Sequence, residues 1–120
     1  MSEKLVEEAT KFRDQIPELE GILIGKLDGT KVWADTLKDA NHEFILTSAS
    51  VVVRATKKLS ESIEKKIIKE IDAEIEGGFI TILVSDNAII VGYFGEDARS
   101  QLGIIKKNLR MFASKIQEYL

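Results

Sequence analysis

The sequence lacks several residues and patterns that whole classes of function depend on. It has no cysteine, one histidine and one proline among 120 residues. Without cysteine there are no disulfides, no thiolate metal sites and no cysteine nucleophile. With His42 as the sole imidazole, no His–His metal pair can form, and any triad would have to use that one residue. No apolar run approaches the about 20 residues that a membrane-spanning helix needs. Residues 1–8 are of mixed charge and lack the apolar core of a secretion signal. A soluble cytoplasmic protein with no direct membrane insertion is therefore expected. Charge of one sign is also missing. Seventeen Lys and Arg stand against twenty Asp and Glu, a net of −3, which is not the basic excess of a nucleic-acid binder. What remains is a globular composition, 44% hydrophobic and 31% charged, of a length that fits one domain over residues 1–120.

Apolar periodicity divides the chain into eight elements. Leu5, Ala9, Phe12 and Ile16 repeat at helical spacing over residues 2–16, with Ser2 to cap the start and Pro17 to stop the helix. Residues 21–27 form a short apolar strand. Asp28-Gly29 predicts a tight turn with positive φ, and residues 30–36 return as a second strand. Asn41 predicts the cap of a helix of about 20 residues ending near Ser62. That helix is apolar on two sides. Phe44, Ser48, Val51, Val52, Ala55 and Leu59 make one stripe, and Ile45, Ala49, Val53 and Thr56 make another. A helix apolar on two sides is covered on two sides, and so short a chain has little material to cover both. A second subunit is the economical answer.

Residues 66–76 alternate with period two. Ile67, Lys69, Ile71, Ala73 and Ile75 face one way, and Ile68, Glu70, Asp72, Glu74 and Glu76 the other. The isoleucines also fit helical spacing, but the β-branched content selects the strand. Left unpaired, this strand is an open edge. Its Lys66, Lys69, Glu70 and Asp72 read either as edge protection or as cross-strand partners of a second strand. Gly77-Gly78 predicts a turn. Strands follow over residues 79–84 and 88–94, and a last helix spans about 97–119. Its buried stripe is Leu102, Ile105, Leu109, Phe112, Ala113 and Ile116. Gly103 inside that helix costs about 1 kcal/mol relative to alanine, which close approach of another backbone would justify. The order is α-β-β-α-β-β-β-α: an α+β fold with one five-stranded antiparallel sheet and three helices.

This order, with particular residues in place, resembles the Roadblock family of dynein-light-chain-like domains over nearly the whole chain. The matching stretches are Ile16-Pro17-Glu18-Leu19-Glu20-Gly21-Ile22, Leu27-Asp28-Gly29, Gly77-Gly78-Phe79-Ile80 and Asp86-Asn87-Ala88-Ile89-Ile90. Gln101-Leu102-Gly103-Ile104-Ile105-Lys106 completes the set. The resemblance implies a profilin-like sandwich with no catalytic chemistry of its own. It also implies a homodimer or heterodimer in which the third strands pair edge to edge and the second helices lie side by side. Such dimers serve as platforms for Ras-like small GTPases, and others bind a dynein chain.

Sites that carry chemistry are weakly represented. Gly21-x-x-x-Gly25-Lys26-Leu27 has one residue too few between its glycines for a phosphate loop, and Leu27 stands where a magnesium-binding hydroxyl belongs. His42 reads as an exposed helix-entry residue. The acidic row Glu70, Asp72, Glu74 and Glu76 places side chains about 7 Å apart, too far for compact coordination of one ion, and reads as a solvated or partner-facing strand side. Lys106, Lys107 and Arg110, like Lys57 and Lys58, read as solvated faces, the alternative being a patch for anionic lipid or an acidic partner. Trp33 and Tyr93 read as core residues with polar tips, the alternative being an exposed anchor for a partner.

No catalytic, cofactor-binding or metal-binding residue is assigned, and no cofactor is expected. The residues expected at a dimer interface are Ser48, Val51, Val52, Ala55, Leu59, Lys66, Ile68, Glu70 and Asp72. The expected function is a non-catalytic dimeric adaptor that binds and regulates a Ras-like small GTPase. A ligand-sensing α/β module is an alternative. So is a structural subunit of a motor or membrane-trafficking complex.

Overall fold

The computed structural model describes residues 2–120. Helix α1 (Glu3–Gln15) starts where the Leu5 amide donates to Ser2 Oγ at 3.4 Å. It ends because Pro17 has no N–H to donate and pushes the residue before it out of the helical region. Ile16 accordingly sits at φ −125°, ψ 75°. The face predicted to be buried, Leu5, Ala9, Phe12 and Ile16, is buried. Arg13, also buried, faces Asp35 across 3.4 Å, a separation too misaligned for a hydrogen bond but one that ties α1 to the next sheet edge.

Strands β1 (Leu19–Gly25) and β2 (Lys31–Thr36) pair antiparallel, with a bulge at Ile24/Gly25. β1 runs from two residues earlier than its apolar run suggests and stops two residues sooner. Residues 26–30 are then a five-residue link rather than a two-residue turn. Inside it Thr30 N donates to Asp28 Oδ1 at 2.9 Å and Gly29 N donates to Lys26 O at 2.9 Å. Gly29 adopts φ +93°, and a Cβ there would stand 2.9 Å from Thr47 Cα, so both conformation and space demand glycine.

Helix α2 (His42–Ser62) begins at Asn41, whose Oδ1 accepts from the Phe44 amide at 3.0 Å. Strand β3 covers Glu70–Ile75, shorter at its start than the alternation of 66–76 suggests. Between α2 and β3, residues 65–69 are neither helix nor strand. The β3–β4 turn is Glu76-Gly77, with Gly77 at φ +97°, and Gly78 already opens β4 (Gly78–Val84). β5 (Ile89–Gly95) follows. The expected single last helix is three pieces: a 3₁₀ turn Glu96–Gln101, helix α3 (Leu102–Lys115) and a second 3₁₀ turn Ile116–Tyr119.

The sheet order is β2-β1-β5-β4-β3, and every neighbouring pair is antiparallel. Its two edges are therefore β2 and β3. On one face α1 and α3 bury Ile22, Ile24, Phe79, Leu83, Ile90 and Phe94. The Phe12 and Phe112 rings stack at 4.3 Å between centroids and join the two helices. On the other face Leu46 and Ala49 of α2 pack on Leu23, Ile82, Ile89 and Val91. Helix α2 lies mainly over β1, β2 and β5. Ser50, fully buried, donates its hydroxyl to Leu27 O at 2.6 Å and pins the helix to the β1–β2 link.

Candidate interaction surface

Helix α2 sorts its residues around its axis. Leu46, Ala49 and Ser50 point at the sheet, and Ile45, Val53 and Thr56 are half-buried beside them. The other stripe is turned outward. Phe44 is 68% exposed, Val51 51% and Leu59 61%, and Val52, Ser48 and Ala55 are exposed among them. Large aliphatics held in water on one flank, with small residues between them, form a surface another element can approach closely. Leu46 and Ser50, absent from both predicted stripes except for their neighbours, are the buried anchors. Their signal is their spacing from Ala49 and Val53 on the sheet-facing side.

Strand β3 supplies the second part, because its outer edge is unpaired. Ile71 and Ile75 lie on the α2 side of the sheet, Ile71 half-buried and Ile75 exposed. Glu70, Asp72 and Glu74 lie on the α3 side. Glu70 is largely covered, while Asp72 and Glu74 stay exposed as the sequence suggested, and all three meet cations of α3 or of the turn before it. Arg110 grips Glu70 with two bonds, Nε to Oε1 at 2.7 Å and Nη2 to Oε2 at 3.0 Å. Lys106 Nζ stands 3.1 Å from Asp72 and 3.6 Å from Glu70. Arg99 donates from Nη2 to Glu74 at 2.8 Å and from Nε to Glu96 at 2.6 Å, and its guanidinium lies over the Phe79 ring. Thr81 donates to Asp72 Oδ1 at 2.9 Å. The Arg110 hydrogen bonds, with the charges of Arg110 and Lys106, hold the Glu70 carboxyl down at about 2. The bland reading of Lys106 and Arg110 is thus corrected: they are clamps on the edge strand, while Lys107 stays exposed and without an ion pair among the described residues.

The nine residues expected at an interface therefore fall into three groups. Ser48, Val51, Val52, Ala55 and Leu59 are together on the exposed flank of α2. Lys66 and Ile68 lie ahead of β3, where Ser60 donates its hydroxyl to Lys66 O at 2.8 Å. Glu70 and Asp72 lend their backbone to the free edge and their side chains to α3. Two exposed isoleucines of the connection, Ile63 and Ile67, were not singled out as site residues, although their apolar character between charged neighbours marks them.

The remaining candidates fall into structural roles. Gly21 and Gly25 are inside β1, not in a loop before a helix. His42 Nε2 lies 3.1 Å from Thr36 Oγ1, at the entry to α2. Trp33 and Tyr93 are half-buried against the two cores. Burial raises the Tyr93 hydroxyl above its usual range, with the Glu20 charge adding to the effect. Gly103 has nothing within 4 Å of the Cβ it lacks, so no backbone of this chain approaches it. Among the described residues no group of carboxylates and histidine is placed to hold a metal ion. Among the described residues no helix is long and apolar enough to cross a membrane.

No protein-family model matches the chain, and no curated protein matches its sequence. Solved structures do match in shape. The gliding protein MglB of Thermus thermophilus superposes with a TM-score of 0.85 at 17% identity, over 100% of this chain and 96% of that one. An MglB in a tetrameric arrangement superposes with 0.86 at 15% identity, over 98% and 90%. A Roadblock/LC7 domain from Streptomyces avermitilis superposes with 0.79 at 10% identity, over 92% of each chain. The chain has the Roadblock fold, in the strand and helix order expected from its sequence.

Proposed function

We infer that residues 1–120 form one Roadblock-like domain. Two copies pair through the outward flank of α2 and the free edge of β3, and the dimer is a non-catalytic adaptor for a Ras-like small GTPase. The observation that carries the reading is that one small subunit leaves both the apolar stripe Val51, Val52, Ala55 and Leu59 in water and the outer edge of β3 unpaired. Each is a liability for a lone subunit, and a second copy removes both at once. Ser48, Val51, Val52, Ala55 and Leu59 make the helix contact, with Lys66, Ile68, Glu70 and Asp72 along the strand edge. Self-association is in keeping with the tetrameric arrangement of the MglB of like fold.

The GTPase as partner follows the resemblance of the sequence to Roadblock domains, and the shared fold supports it. The mechanism that suits this chain is restriction of the GTPase switch loops by a rigid surface, which changes their balance of order and disorder. Donation of a catalytic arginine suits it less. Arg13, Arg99 and Arg110 each face carboxylates of their own chain, and Arg54 stands in the middle of a helix. The place of action is the cytoplasm, where such GTPases work.

The test is a pull-down and nucleotide-hydrolysis assay against the Ras-like GTPases of the same organism. Binding to one of them, lost in Val52→Asp, is the expected result. Failure to bind any of them overturns the reading. A thermal-shift screen with nucleotides and metabolites addresses the ligand-sensing alternative, which has a solvent-open cleft of about 700 Å³ beside Leu5, Leu27, Val32 and Tyr119.

A further inference from the structure

The charge of this acidic chain is unevenly placed. Residues 54–69 hold six cations, Arg54, Lys57, Lys58, Lys65, Lys66 and Lys69, against Glu61 and Glu64. The local balance is +4, which leaves −7 for the rest of a chain whose total is −3. Of the eleven cations elsewhere, six (Arg13, Lys31, Arg99, Lys106, Arg110 and Lys115) face carboxylates. None of the six cations of 54–69 has an ion-pair partner among the described residues. Residues 3–20, by contrast, carry a balance of −3, and their helix covers the opposite face of the sheet.

Two further features accompany the positive side. Ile63 is 58% exposed and Ile67 83%, both in the connection between α2 and β3 and both close to lysine or glutamate in the chain. Five of the six cations are lysine. Protein–protein interfaces are enriched in arginine, with its planar fork, and depleted in lysine. Lysine on a flexible stem suits a surface of mobile phosphates, and isolated aliphatic side chains can settle among the headgroups beside it.

We propose that the end of α2 and the following connection, Arg54, Lys57, Lys58, Lys65 and Lys69 with Ile63 and Ile67, form a peripheral docking patch for an anionic lipid surface. The occupant is identified by charge complementarity: a planar sheet of negative headgroups opposite a locally cationic and aliphatic ridge. The contact is at headgroup level, with no segment spanning the bilayer. It goes beyond the adaptor reading and does not depend on it, because one copy carries the whole patch. Lys57, Lys58 and Lys65 lie outside the proposed dimer contact.

The experiment is sedimentation of the intact protein with phosphatidylcholine vesicles and with vesicles containing about one-third phosphatidylglycerol, at low and high salt. The expected result is binding to the phosphatidylglycerol vesicles alone, falling as salt rises. A charge near such a surface contributes roughly fivefold in partitioning. The triple variant Lys57→Gln, Lys58→Gln, Lys65→Gln should therefore bind roughly 100-fold more weakly, with solution mass and melting temperature unchanged. Ile67→Ser should weaken binding several-fold at constant charge. No binding at low salt overturns the proposal, as does equal binding to both vesicles or full binding by the triple variant. If heparin in solution binds as tightly as the vesicles do, the patch is a general polyanion site and the lipid assignment falls.

Discussion

Glu70 shows how a single side chain can be legible in type and misleading in role. Its alternation with Ile71 and Ala73 placed it on the polar side of a strand, and it is there. What it meets was not readable, because Arg110 lies forty positions away along the chain. The carboxyl titrates at about 2, below the usual value of about 4.3, so the folded state favours its ionised form. Stability from this group is present above about pH 4.5 and is lost as pH falls towards 2. Glu70→Gln should cost on the order of 1–2 kcal/mol at pH 7 and nothing near pH 2. Urea titrations of both proteins at a series of pH values check this, and parallel loss in the two proteins on acidification would contradict it. Leu46 is the opposite case. It is fully buried against the sheet, yet a list of apolar stripes passed over it. Leu46→Ala should destabilise the fold by about 2–5 kcal/mol in the same assay.

Among the helices and strands, the caps and stops were the most readable features. Ser2, Pro17 and Asn41 set the ends of α1 and the start of α2 through local hydrogen bonds and local sterics, which need no tertiary partner. Strand ends were less readable, because pairing decides them. β3 begins at Glu70 rather than Lys66 because β4 ends at Val84, whose amide donates to Lys69 O at 3.0 Å just past the Glu70–Leu83 pair and leaves residues 66–68 nothing to pair with. Helix α2 has a buried side, and its outer flank makes a sharp prediction. Val52→Asp should leave the fold intact, within about 0.5 kcal/mol for a lone subunit, while halving the solution mass. Size-exclusion chromatography with light scattering reads the mass, and circular dichroism reads the fold. In α3, a Cβ at Gly103 would meet nothing of this chain within 4 Å, so no close approach within the subunit requires the glycine. Gly103→Ala should raise stability by about 0.5–1 kcal/mol. A loss instead would mean that another chain presses against α3 at that point.

For the protein taken entire, the decisive quantity is how much apolar surface remains uncovered. One sheet face is closed by α1 and α3 together, while the other has only α2, set over β1, β2 and β5. The uncovered flank of α2 is a consequence of that imbalance, and the β3 edge of the open sheet adds unpaired backbone to it. If two copies share the load, melting temperature should rise with protein concentration, since association stabilises by mass action. Scans between about 1 and 100 µM test this, and a melting temperature independent of concentration, with the mass of one subunit, would remove the adaptor proposal's foundation.

Element order, helix caps, the class of sheet and the two-sided apolar character of α2 could all be read from the amino acids unaided. Each follows from residues within a few positions of one another, where propensity and periodicity act. Folding in three dimensions was needed to settle which stripe of α2 was left in water, which cations were clamped to β3 and which stayed without a carboxylate beyond residue 54. Those outcomes depend on groups tens of residues apart meeting in space, and no local pattern encodes such a meeting.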